Sequence, residues 1–435
     1  MADGRMGDHR PRQPDHHRDR KDGSPPLSRR RHRRQAAVPQ RGSGRQLDDG
    51  RQEGPRDRNG RPGDEPDDPD DLRPRSPRRC FGQGRPRPVT PFASASLRGL
   101  AVGAVCLTLL VAALLFGAAI GETRIPLETV ARTVASHLRG GVHGIDPIDA
   151  GIVWNYRLSR AVVAAACGAA LAVSGVVLQS LLRNPLADPY LLGISAGASY
   201  GAVSVAILGL GGGFLSLSVG ALGGALLAFG FVVVLAFLSG RGPTAIILAG
   251  IAGSQLFNAL TSFVVTKSAT ADEARGIMFW LLGNLSGVRW PDAWLAVPVA
   301  LFGLTVCLLH SRALDAFAFG THAAAALGIA VRRVQVVMIG TTALMTAVMV
   351  SLVGSIGFVG LVIPHAARLI VGVRHGILLP TAALVGAVFL IGADVLSRTI
   401  IAGQVLPIGV MTALFGAPAF ALILVHRPAQ TGGGR

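Results

Sequence analysis

Between Arg160 and Arg183 lie 22 residues without a charge, all apolar or small except Gln179. A helix of that length rises ~33 Å, enough to cross a bilayer core of ~30 Å. Gly168, Ala169, Ala170, Ala172, Ser174 and Gly175 fall inside the run. So many small side chains suit close helix packing better than contact with lipid. Asn184, Pro185, Asp188 and Pro189 follow at once. Pro185 drives Asn184 out of helical dihedrals and stops the helix, and Pro189 does the same at Asp188. An apolar helix at Ile194 resumes almost immediately. Two membrane spans joined by a rigid, polar, proline-locked corner are therefore expected, and the rest of the chain must pack around them.

Composition agrees with an all-α, polytopic membrane protein. Half the residues are hydrophobic, only 15% are charged, and there are 56 glycines. The formal net charge of +17 divides into +8 before Leu97 and +9 after it. Residues 1–96 are rich in Arg, Asp, Pro and Gly with almost no aliphatic side chains, so they are expected to form a disordered tail. Acids interleave with its arginines and aromatics are nearly missing, which argues against a nucleic-acid arm. The basic cluster at residues 29–34 is a solvated charge run, or at most a contact for anionic headgroups. Cys80, Cys106, Cys167 and Cys307 form no Cys-x-x-Cys pair and read as small hydrophobes.

The helical region is expected over residues 97–427, with a short flexible tail at 428–435. Residues 99–121 form a charge-free first span. Residues 122–155 read as a loop that carries an amphipathic helix with Leu127, Val130, Ala131, Val134 and Leu138 on one face. The 52 uncharged residues between Asp188 and Arg241 hold two spans split at residues 209–213. Further spans are expected at 242–266 and 293–311, separated by a loop at 267–290 whose Trp280 and Trp290 suit an interface. Residues 312–333 are too polar to span and read as short cytoplasmic helices. The 34 residues between Arg333 and Arg368 contain Gly354, Gly357, Gly360 and Pro364, so one span and a short bent one are expected there. Two last spans follow, with Pro407 early in the final one. The count is about ten. An even count puts both termini on one side, and the Arg-rich tail makes that side the cytoplasm.

The words Arg157-Leu158 with Arg160, Gly168 to Ala172, Gln179, Arg183 to Pro189 and Leu192 to Gly197 form a block of some forty residues. Ala326 to Gly328, Gly354 to His365 with Arg368, Ala393-Asp394 with Arg398, and Leu406 to Gly409 continue it. In these words the chain resembles the permease subunits of the iron–siderophore, haem and cobalamin family of bacterial ABC importers. The resemblance implies a multi-pass permease of the bacterial cell membrane, paired with a second permease subunit that is the same or homologous. Two ATPase subunits and an extracytoplasmic substrate-binding protein would complete the complex. It implies docking of the binding protein at Arg157, Arg160 and Arg398. It implies coupling to the ATPase through Gly320, His322, Leu327, Gly328, Arg332 and Arg333. The cargo implied first is an iron–siderophore complex, with haem or cobalamin as runners-up. Three departures stand out. Ser159 replaces the proline usual between the two arginines, Val405 replaces a frequent glutamate, and the long tail has no counterpart.

No cofactor, metal or catalytic group is expected on the chain. A phosphate-binding loop needs Gly-x-x-x-x-Gly-Lys-Ser/Thr, and neither Lys21 nor Lys267 stands in that setting. ATP would thus be used by the partner ATPase. His310, His365 and His375 lie near span edges without ligand spacing. Asp394, the one acid in the C-terminal apolar segments, supports a rival class: a proton-coupled secondary transporter. Arg398 sits one helical turn on, so an ion pair explains Asp394 equally well. A membrane scaffold or receptor is a third class, disfavoured by the proline corner and the glycine-broken span.

Overall fold

The computed structural model describes residues 92–121, 125–140, 146–240, 242–401 and 403–425. The tail read over 1–96 lies outside the described residues up to position 91, and helix α1 (Phe92–Ala119) already occupies its last five positions. The segment at 428–435 lies outside them too.

Among the described residues the chain is all helix, with no strand. Six helices are long and apolar enough to cross a membrane. They are the continuous helix Pro147–Leu181, α6 (Leu217–Leu238), α7 (Pro243–Ser268), α9 (Trp290–Leu309), α12 (Val331–Val353) and α14 (His375–Thr399). Four further apolar segments are shorter: the apolar part of α1, then α5 (Ile194–Ala206), α13 (Val359–Val371) and α15 (Ile408–Val425). Together these ten occupy the places the sequence assigns to spans. Between α9 and α12 lie the short helices α10 (Ser311–Phe317) and α11 (Thr321–Ala326), where the polar segment 312–333 was expected to form them.

After α2 (Leu127–Arg139), the amphipathic helix expected there, the long helix Pro147–Leu181 consists of α3 (Pro147–Gly151), a π-helical stretch (Ile152–Leu158) and α4 (Ser159–Leu181). Its most apolar window is 83% buried, against 33% for α6, so α4 is the hub on which the bundle is assembled. Helices α9, α12, α13 and α14 all pack on it. The small residues explain how. A Cβ at Gly168 would collide with the Gly386 carbonyl of α14, and a Cβ at Gly386 with the carbonyl of Gly168. Backbones approach this closely only where neither helix carries a side chain, and dispersion contacts then hold them together. A second layer repeats the device, with Gly201 of α5 against Gly220 of α6.

The corner after α4 is built from the residues that sequence singles out. Asn184 Oδ1 accepts the Leu186 N–H at 2.9 Å, and Asp188 Oδ1 accepts the Tyr190 N–H at 2.8 Å, capping a single 3₁₀ turn at Pro189–Leu192. Burial pushes the Asp188 carboxyl up to about 6, against the opposing pull of that N–H. The Tyr190 hydroxyl bonds both the carbonyl (2.9 Å) and the N–H (2.8 Å) of Ile356, tying the corner to the bend between α12 and α13.

Three sequence expectations are corrected. The span expected from residue 161 begins at Pro147, because Asp146 caps the helix, accepting the Ile148 N–H at 2.8 Å, and Pro147 sits where a missing N–H costs nothing. Tyr156 and Arg157 therefore lie within a helix. The loop 267–290 contains α8 (Ala271–Leu281), started by a capping box between Thr270 and Glu273. The short span expected after α12 is present as α13, with Pro364 inside it. The carbonyl that a proline at 364 leaves without an amide partner is that of Gly360, and the Gln179 side chain donates to it at 3.3 Å. Gln179 of α4 thus repairs a helix 181 positions further along the chain. Pro407 precedes α15 instead of lying within it.

Candidate functional site

Two ends of the bundle carry the polar side chains that the apolar spans exclude. At one end α1 finishes, the long helix and α9 begin, and α14 finishes. Here the expected docking residues come together. Arg157, Arg160 and Arg398 line one cleft of about 400 Å³ with Gly121, Ile152, Tyr156, Ser286, Arg289 and Val405. All three arginines are nevertheless buried, at 6–8% exposure, although docking would need them reachable from outside.

They are buried because each is satisfied. Asp394, 1% exposed, sits between two guanidinium groups. Arg160 Nε lies 2.6 Å from Oδ1, and Arg398 Nη2 lies 3.0 Å from Oδ2, an ionic contact without hydrogen-bond alignment. Arg160 also donates to Ser286 Oγ at 3.2 Å. The last turn of α1 leaves carbonyls without intrahelical partners. Arg157 Nη1 donates to the Ala119 carbonyl at 2.9 Å, and Arg398 Nη2 to that of Gly117 at 3.0 Å. Cations at a helix C-terminus also meet the favourable end of its dipole. One carboxylate and one helix end thus hold three arginines from two helices in fixed orientation. The local pair foreseen between Asp394 and Arg398 is present, and the long-range partner Arg160 adds to it.

The π-helical stretch explains the Ser159 departure. The Ser159 hydroxyl donates to the Asn155 carbonyl, four residues back, at 2.7 Å. The Ser159 N–H itself bonds the Tyr156 carbonyl, a contact that a proline there could not make. Val405, the second departure, lines the cleft and adds no charge there.

Sequence reading missed Arg289. Its guanidinium lies 4.2 Å from the centre of the Tyr156 ring, and Nη1 donates to the carbonyls of Ser286 (3.1 Å) and Val288 (2.7 Å). The neighbouring Trp290 indole donates to the Trp154 carbonyl at 3.1 Å and packs on the Trp154 ring. The only signal available was a cation beside a tryptophan at a span start, and it gave no hint of Tyr156, 133 positions earlier. With four arginines and one neutralising carboxylate, the cleft is an anion-accepting surface.

The opposite end carries α10 and α11. Gly320, at φ 104°, starts α11, and a Cβ there would approach Arg183 of the corner. Gly328, at φ 81°, closes α11, where a left-handed residue is required and no atom crowds the position. His322, Arg332 and Arg333 are exposed, and Leu327 is 72% exposed. His375 pins this end from within: its N–H and Nδ1 both meet Asp315 of α10, at 2.8 and 2.7 Å, while Nε2 lies 2.6 Å from Ser180 of α4. Arg368 donates to Gln179 at 2.7 Å. The short helices therefore sit on a fixed platform and project an apolar and basic tip. No group of three or more metal-ligating side chains occurs among the described residues.

Comparison with known proteins places this geometry. The model of the FecCD transport family matches residues 109–426. A cobalamin import system permease of Halobacterium salinarum is 38% identical over 372 residues, covering 77% of this chain and 98% of that one. An uncharacterised ABC transporter permease of Bacillus subtilis is 40% identical, covering 75% and 93%. A vitamin B12 import permease of Escherichia coli is 39% identical, covering 63% and 83%. Among solved structures, an inward-facing metal-chelate type ABC transporter aligns with a TM-score of 0.64 at 30% identity, covering 74% of this chain and 98% of that one.

Proposed function

We propose, from the premise that this chain belongs to the FecCD transport family, that it carries a cobalamin-like or metal-chelate cargo into the cell as half of a permease dimer. The coarse part stands without the proposal: it is a multi-pass ABC importer permease. The cargo, the partners and the orientation are the proposal.

One observation carries the reading of how the complex forms. Arg160 and Arg398 converge on Asp394, and Arg157 joins them on the end of α1, at one cleft opposite the end with α10 and α11. Two copies related by a two-fold axis would present two such clefts, which suits a binding protein with an acidic residue on each lobe. The opposite tip, with Leu327 exposed just after α11 and Arg332 and Arg333 exposed at the start of α12, suits a groove on an ATPase. That end is then cytoplasmic, and ten spans return the C-terminus to the side of the N-terminus. The chain has no phosphate-binding loop of its own, so ATP is hydrolysed by the partner.

Cobalamin is favoured over a ferric siderophore because similar permeases carry cobalamin or vitamin B12 in their names. The proton-coupled alternative is disfavoured by geometry. Asp394 is 1% exposed and both its oxygens already face buried arginines, which gives it a structural role without proton transfer. The test of cargo is uptake in cells lacking their own importers, with the partner ATPase and binding protein co-expressed. Labelled cobalamin should accumulate and a ferric hydroxamate should not. The reverse selectivity would move the cargo to the siderophore class.

A further inference from the structure

A groove of about 470 Å³ runs between α6 and α12. Its walls are apolar over most of their length: Phe229, Val233 and Phe237 on α6, and Val336 and Gly340 on α12. At its mouth stands Arg332, with Gln335 beside it. The stripe is helical. Positions 332, 336 and 340 of α12 repeat every fourth residue, as do 229, 233 and 237 of α6, so each set lines one face. From Arg332 to Gly340 the groove descends ~12 Å.

We infer that this groove binds one anionic phospholipid of the surrounding bilayer, its phosphate on Arg332 and an acyl chain along α6 and α12. Three observations select that occupant. Both walls are membrane-spanning helices, so bilayer components meet the groove directly. Its single cation stands at the end of the bundle that carries α10 and α11, at the level expected for headgroups, and Arg333 beside it is also exposed. A cation above a ~12 Å apolar slot matches a molecule with an anionic head and a hydrocarbon tail. A second helix would fill the slot but leave the arginine without its complement. The site is separate from the arginine cleft and does not depend on the proposed cargo.

Glycine supplies the means of testing it. A Cβ added at Gly340 meets no atom within 4 Å, so a larger side chain enters the groove without disturbing the backbone. Native mass spectrometry of the full chain, purified in mild detergent with added lipid, reads retention directly. Wild-type protein should retain one phosphatidylglycerol about fivefold more than phosphatidylcholine. Excess glycerol phosphate should not displace it, because the headgroup alone lacks the tail. Gly340→Leu should lose the retained lipid while keeping wild-type helix content and melting temperature. Arg332→Gln should still retain a lipid but no longer distinguish the two. Equal retention of both lipids by the wild type, or full retention by Gly340→Leu, would overturn the assignment. So would displacement by glycerol phosphate, which would identify a free-anion site. A shift from dimer to monomer in Gly340→Leu with lipid retention unchanged would identify a protein contact instead.

Discussion

The two polar ends of this bundle solve opposite problems with the same residue types. At the cleft, three arginines are 6–8% exposed and are held by Asp394 and by the terminal carbonyls of α1. At the other end, Arg332 and Arg333 are exposed on a helix start, beside a turn where a side chain added at Gly328 would meet no atom within 4 Å. The first is a socket whose charges are fixed before a partner arrives, so binding there loses little side-chain entropy. The second is a tip whose shape is set by backbone turns and whose side chains are free to seat. The same substitution should therefore act on folding at one end and on coupling at the other.

The largest effect is expected from Asp394→Ala. It leaves Arg160 and Arg398 buried without their carboxylate, which costs about 3–5 kcal/mol. Purified protein should be much less stable in detergent or absent from the membrane. Asp394→Ala protein with wild-type stability would show that Ser286 and the α1 carbonyls suffice to hold the arginines.

Gly328→Trp should abolish uptake while leaving a folded permease. The cost is local, because only the left-handed backbone resists the side chain, at about 1–2 kcal/mol. Co-purification should show a weakened ATPase complex. A Gly328→Trp protein that assembles and transports normally would remove α11 from the coupling surface.

Arg289→Glu isolates docking from folding, since Arg289 is outside the Asp394 cluster. Reversing Arg398 would break that cluster as well and so could not separate the two. Exposed-rim charges change association rate more than affinity. A severalfold slower association with the binding protein is expected at low salt, converging with wild type at high salt. An unchanged rate at low salt would confine docking to the buried arginines.

The smallest effect concerns the corner. Burial raises the Asp188 carboxyl from 3.8 to about 6, so the folded chain holds a proton that the unfolded chain releases. Its contribution is present below about pH 4 and is lost as pH rises towards 6. Asp188→Asn keeps an acceptor for the Tyr190 N–H and should flatten stability over that window. An identical pH profile in the mutant would assign the dependence to another group.

The helices were legible because bilayer burial demands long apolar runs, and the corner because prolines act locally. The short helices α10 and α11 were legible from polarity and length. What escaped depends on contacts across the sequence. Arg160 meets Asp394 over 234 positions, so the local partner Arg398 was seen and the distant one was not. Gln179, which donates to the carbonyl that Pro364 leaves without an amide, lies on another helix and was equally unreadable. The helix Ala271–Leu281 is different, since its capping box was present in Thr270 and Glu273 and went unread. The extension of the long helix back to Pro147 was likewise signalled by Asp146.

Energy coupling separates the central claim from its rival most directly. The permease would be reconstituted with its ATPase partner in liposomes, with loaded binding protein outside, and accumulation of labelled cobalamin followed with ATP or with a proton gradient as the only energy source. Accumulation should require ATP and the ATPase and be indifferent to the gradient. Accumulation driven by the gradient without ATP, and lost in Asp394→Asn, would contradict it.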